Sequence, residues 1–149
     1  MKTQILSAAL GLLVLTGSAL AQTATSQAPS LYKRLGGYDA IAAVTDEFIA
    51  RFAADKSLSR FLVGFSDSSK ARLRQLIVDQ ICFVTGGPCV YIGRDTKTAH
   101  KGLGITGADW EASVKLLSDS LDKFKVPQKE KDDFLALVSS LKADTVEKP

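Results

Sequence analysis

The 149-residue chain is poor in the residues that usually carry reactive chemistry: it has one His, one Met, one Trp and two Cys. A lone histidine and two cysteines fall short of the four ligands of a structural zinc site unless a carboxylate joins them. The cysteines stand as C-x6-C, at 82 and 89, which is not the C-x-x-C of thiol oxidoreductases or zinc knuckles. Glycine (11) and proline (4) are sparse and 46% of residues are hydrophobic, which excludes collagen-like and disordered classes and fits one domain. The net charge of +3 comes from acids and bases mixed along the chain, so no nucleic-acid or membrane-surface patch is implied. No segment alternates polar and apolar residues with a period of two, and an all-α fold of five to six helices is expected.

The one long apolar run lies at the start. Lys2, the stretch Ile5 to Leu15 and the small-x-small site Ala19-Leu20-Ala21 read as a secretory signal over residues 1–21. The rival reading is an uncleaved anchor, for which the run is short. Export to a periplasm or beyond the cell would remove Met1 and place the chain in an oxidising compartment. There Cys82 and Cys89 are expected to pair, constraining the unfolded chain by roughly 2 kcal/mol, rather than remain separate thiols. Residues 22–30 (QTATSQAPS) lack periodicity and read as a flexible linker, 31–144 as the domain and 145–149 as a tail.

Within the domain, Leu31 to Leu35 reads as a short helical turn stopped by Gly36-Gly37. Ile41, Val44, Phe48 and Phe52 share one face of a helix over Tyr38 to Ala54, with Ile49 beside them. Leu58, Phe61, Leu62 and Phe65 fall in an irregular connection. A helix over Ser69 to Val84 follows, with Leu73, Leu76, Ile77, Ile81 and Val84 in a stripe, and Thr85-Gly86-Gly87-Pro88 ends it. Cys89 to Asp95 is a loop, and Thr96 to Lys101 a single turn around His100. Thr106 opens a helix with Asp109 three residues on, and Trp110, Val114, Leu117, Leu121 and Phe124 follow on one face. Pro127 is placed in the first turn of a last helix holding Phe134, Leu135, Leu137, Val138 and Leu141.

A lone histidine is ordinarily a surface or core side chain. His100 differs in its setting, with Gly86-Gly87-Pro88 upstream and Gly102 and Gly104 downstream, where backbone must take unusual angles near a packed object. A histidine on such a turn can ligate haem iron through one ring nitrogen while a backbone carbonyl or carboxylate orients the other.

From Ser30 to Ala143 the chain resembles the truncated haemoglobins of group I, shortened globins with a two-over-two helical sandwich. The resemblance is carried, in order, by Leu31-Tyr32-x-x-Leu35-Gly36-Gly37, the Phe48 helix ending at Ala53-Ala54-Asp55, Thr85-Gly86-Gly87-Pro88, Tyr91-x-Gly93, Lys97-x-x-His100-x-Gly102-x-Gly104-Ile105-Thr106, and Val126-Pro127. It implies that His100 is the proximal iron ligand and that Lys97 stands near a haem propionate. Phe48 takes the place of the distal-helix aromatic, and Leu73 and Ile77 take the two distal positions one turn apart. The cofactor-binding set it implies is Phe48, Ile49, Leu62, Phe65, Leu73, Ile77, Lys97, His100, Leu103, Ile105, Trp110 and Val138.

The chain departs from the family pattern on the distal side. Many group I members follow the distal-helix Phe with a Tyr that hydrogen-bonds O2, helped by Gln at the distal positions; here Ile49, Leu73 and Ile77 occupy those places. An apolar pocket gives O2 no partner, whereas CO and NO depend on one much less, so weak O2 retention is expected. Gln75, Gln80, Tyr32 or Tyr38 remain as inward-reaching alternatives, although helical geometry turns Gln75 from the Leu73/Leu76/Ile77 face. The stretch Val63 to Arg72 is longer than usual, and Phe65 could replace Leu62 as haem cover. With one His and no Met after export, bis-His and His/Met ligation are excluded, leaving a Lys or a thiolate as the conceivable sixth ligand. Without C-x-x-C-H the haem would be non-covalent haem b. The expected role is reversible binding of a diatomic gas, O2, CO or NO. The alternatives are an NO-detoxifying oxidoreductase, which would need a reductase partner, and a haem-free helical interaction module.

Overall fold

The helix starts at Leu31, Asp67, Thr96 and Gly107 are fixed by side chains that stand just outside the helix and accept otherwise unpaired backbone N–H groups. Ser30 accepts from Lys33 N, Ser66 from Ser69 N, and Asp95 from Thr98 N. Thr106 accepts from Asp109 N at 3.1 Å while the Asp109 carboxylate accepts from Thr106 N at 2.9 Å, a reciprocal capping box. The computed structural model describes residues 28–148, so the signal-peptide reading and most of the linker lie outside the described residues. The helices are α1 (Leu31–Arg34), α2 (Gly37–Ala54), α3 (Asp67–Val84), α4 (Thr96–His100), α5 (Gly107–Lys123), α6 (Gln128–Ser139) and α7 (Lys142–Thr145). A 3-10 turn spans Ser59–Leu62. The described residues contain no strand, only an isolated bridge between Thr106 and Lys148.

The helical stripes meet as two pairs, α2 on α3 and α5 on α6, with α2 also lying on α5. Val44, Leu117, Leu121 and Phe134 form the centre, flanked by Phe48, Ile81, Val126 and Val138. A second cluster joins Ile41 and Ala42 of α2 to Val78 of α3, which is fully buried. Ion pairs close the rim: Arg34 reaches Glu130 and Asp133, tying α1 to α6, and Glu47 takes Lys123, tying α2 to α5.

Three details differ from the sequence expectation. The connection before α3 is ordered into a 3-10 turn, held by Asp55, whose carboxylate accepts from the N–H groups of Ser57 and Leu58. Pro127 is the N-cap of α6 rather than a residue inside it, because its fixed φ suits the extended backbone there. The chain after residue 144 does not hang free. Thr145 belongs to α7 and is buried, while Glu147 N and Lys148 N donate to the Ile105 carbonyl.

Asp109 is a buried carboxylate. Arg60 donates to its carboxylate at 2.7 Å and Thr106 at 2.7 Å, which together hold its pKa down at about 2, below the ordinary 3.8. Its contribution is therefore complete above pH 3.8 and is lost as pH falls through about 2. Asp109→Asn should melt below the parent at neutral pH, with the gap closing between about pH 4 and pH 2; thermal melts across that range check it. Thr106→Ala should cost about 1 kcal/mol at neutral pH.

Candidate functional site

His100 sits at the end of α4, a helix of five residues. Such a segment has no cooperative stability of its own and must be held from outside. The Asp95 carboxylate caps its start, accepting from Thr98 N at 2.8 Å, and this bond together with one from the Thr98 side chain holds the Asp95 pKa down. His100 Nδ1 donates to the Thr96 carbonyl at 2.8 Å. A carbonyl only accepts, so Nδ1 carries a proton and, in the neutral ring, Nε2 keeps its lone pair, the arrangement of a metal-ligating imidazole. The ring is half-buried.

The loop leading to α4 is tightly built. Cys82, fully buried at the end of α3, is bonded to Cys89, with S–S 2.01 Å and Cα–Cα 5.8 Å. Gly87 runs through the gap behind this bond. A Cβ there would lie 2.6 Å from the Tyr32 ring and 2.7 Å from Cys82 Sγ, so only glycine fits without displacing one of them. Tyr32 N in turn donates to the Thr85 carbonyl at 2.8 Å, fastening the loop to α1.

A second feature lies where α2, the 3-10 turn and α3 meet, a cavity of about 340 Å3. It is lined by Ile49 and Ala53 of α2, by Ser59, Leu62 and Val63, and by Lys70 and Leu73 of α3. Three residues chosen from sequence, Ile49, Leu62 and Leu73, are thus brought together. Ser59 and Lys70 are absent from the sequence expectation, though spacing carries the signal: Lys70 is three residues before Leu73 on one helical face, and Ser59 three before Leu62 in the 3-10 turn.

The other sequence-predicted residues are placed differently. Phe48 and Val138 are partly buried against the central core, and Phe48 meets Phe52 edge-on at 5.8 Å. Phe65 is 39% exposed and outside the cavity wall, in which Leu62 lies. Ile77 is half-buried on α3, Ile105 and Trp110 are buried, and Leu103 and Lys97 are exposed on either side of His100. Of the polar alternatives, Gln75 is engaged elsewhere, donating to Tyr38 Oη at 2.8 Å and Asp79 at 2.9 Å. Tyr32 Oη accepts from Tyr38 N at 3.1 Å.

Residues 30–147 match the bacterial-like globin family. A group 1 truncated hemoglobin of Chlamydomonas moewusii is 33% identical over 140 residues, 89% of this chain and 80% of that protein. One from Mycolicibacterium paratuberculosis is 31% identical over 82% of this chain and 88% of its own length. Among solved structures, the truncated hemoglobin of Tetrahymena pyriformis in its Fe(III) form superposes with a TM-score of 0.74 at 22% identity, over 80% of this chain and all of that one. The 2/2 hemoglobin of Synechococcus, solved in the cyanomet state with covalently attached heme, gives 0.72 at 26% identity, over 80% of this chain and all of that one. The chain belongs to the bacterial-like globins, in their group 1 truncated haemoglobin branch. As a globin it is a haem-binding protein of a family that takes small diatomic ligands.

The residues present suit that group. They offer an imidazole with one nitrogen fixed and the other free, a mostly apolar cavity within the roughly 300–1,000 Å3 of small-molecule sites, and an exposed cation, Lys97, one turn from the imidazole. Opening the disulfide, by reduction or in a Cys82→Ser, Cys89→Ser protein, should lower stability by about 2 kcal/mol. Urea unfolding of the two forms measures the difference.

Proposed function

We propose that the chain binds haem b without a covalent link, ligating iron through His100 Nε2, and reversibly takes a diatomic gas from an apolar distal side. The observation that carries this reading is the His100 Nδ1 bond to Thr96 O, which fixes the tautomer a ligand needs. Both cysteines of the sequence are joined in one disulfide and the one histidine is assigned to iron, so no thiol or second imidazole is left for attachment. Lys97, exposed one turn before His100, is positioned to meet a propionate in solvent.

Haem supplies the iron centre to which a diatomic ligand adds; the chain decides how long that ligand stays. Five of the seven wall residues, Ile49, Ala53, Leu62, Val63 and Leu73, offer it no hydrogen bond, and Lys70, one of the two polar ones, lies beside the Asp67 carboxylate at 3.7 Å. O2, which leans on such a bond when it is polarised, is released quickly, while CO and NO are favoured. The signal-like first 21 residues support a periplasmic or secreted setting for this binding.

Absorption spectra of the haemin-loaded protein, ferric, reduced and with CO, test the reading. A Soret band that shifts on reduction and again with CO, and that weakens or moves in His100→Ala, is expected. Haem uptake that is absent, or unchanged in His100→Ala, contradicts it. Ile49→Tyr should slow O2 release about tenfold or more, as one added hydrogen bond to a polarised ligand implies, with CO release little altered; stopped-flow displacement reads both.

A further inference from the structure

The residues that follow His100 are gripped by the end of the chain. Gly102 and Gly104 take left-handed backbone angles, φ +85° and +64°, and these turn both their N–H groups toward one carboxylate. Glu147 Oε1 accepts from Gly102 N at 2.6 Å and Oε2 from Gly104 N at 2.5 Å, so each oxygen holds one amide. Between them, Leu103 N donates to the His100 carbonyl at 3.2 Å, which ties the same turn to the histidine's own backbone. The far side of the turn is bound in the same way: the Ile105 carbonyl accepts from Glu147 N at 2.9 Å and Lys148 N at 3.1 Å, and Gly107 N donates to the Lys148 carbonyl at 3.1 Å. The terminal segment is itself anchored through α7, which packs on α4 and buries Thr145.

We propose that Glu147 is a positioning residue for the haem ligand, its carboxylate clamping the Gly102 and Gly104 amides so that α4 ends at one place and His100 Nε2 points in one direction. This rests on the reading that His100 ligates haem. The physical need is plain: a five-residue helix cannot fix the aim of its last side chain, and Asp95 and the disulfided loop secure only the upstream end. Hydrogen bonds from two amides to an ionised carboxylate are among the stronger ones available to a surface segment. Without them the two glycines, which no side chain restrains, are free to take other angles, and the imidazole's direction spreads with them.

The test uses the full chain with and without haem, as the parent, Glu147→Ala, Glu147→Gln, and Val44→Ala as a variant weakened in the core far from the clamp. In the haem-free protein, hydrogen exchange at Gly102 and Gly104 should quicken in Glu147→Ala about tenfold or more relative to exchange in α2. In the reduced haem form, the iron–histidine stretching band in resonance Raman spectra should shift or broaden in Glu147→Ala and Glu147→Gln, and haem transfer to an acceptor globin should speed up about tenfold. Val44→Ala should lower the melting temperature yet leave the band where it is. An unchanged band and transfer rate in Glu147→Ala, with His100 shown to be the ligand, would overturn the positioning role, as would unchanged glycine exchange. Haem binding that ignores His100→Ala would instead defeat the underlying reading, and the proposal with it.

Discussion

The proposed haem ligation hangs on one hydrogen bond, from His100 Nδ1 to the Thr96 carbonyl. It forms within a helix of five residues, so the imidazole is oriented by its own turn and needs no carboxylate partner. The consequence is that everything bearing on the site must act by holding that turn. Asp95 caps its start, the Cys82–Cys89 bond fastens the approach, and the Glu147 carboxylate receives the exit. The two backbone amides that reach Glu147 hold its pKa below the usual carboxylate range, the mark of a carboxylate used in its charged form.

The cavity between α2 and α3 is built on different terms. The cavity walls come from α2, α3 and the 3-10 turn between them, and the turn is locked by Arg60, which lies over the Phe61 ring at 4.3 Å and donates to Asp109 at the start of α5. Asp109 caps the helix whose first residues also bond the chain's end. The irregular segments on the two sides of the fold are thus fastened to one short stretch, Ile105 to Asp109, by side-chain charge on one side and by backbone bonds on the other.

Much of this was legible in the sequence because it rests on local rules. Apolar spacing located α2, α3, α5 and α6, the Thr106 capping pattern marked the start of α5, and the lone histidine among glycines drew attention to α4. What was not legible depends on partners distant in sequence. Glu147 reads as one more charge in a polar tail until the fold brings it beside Gly102, 45 residues away. Phe48 sits one residue from Ile49, and only packing decides that Phe48 serves the core while Ile49 lines the cavity. Lys70 and Ser59 share faces with Leu73 and Leu62, but a polar residue on an amphipathic segment is ordinarily assigned to solvent, and that rule hid them.

Because the chain has a single histidine, its imidazole gives one unambiguous set of nitrogen signals. Long-range proton–nitrogen NMR on protein labelled at histidine, in the neutral imidazole form, tests the central claim most directly. The account predicts a proton on Nδ1 and an unprotonated Nε2 in the haem-free protein, with the ring signals shifted or broadened by iron once haemin is added. A proton on Nε2, or a ring whose signals ignore haemin, would contradict it.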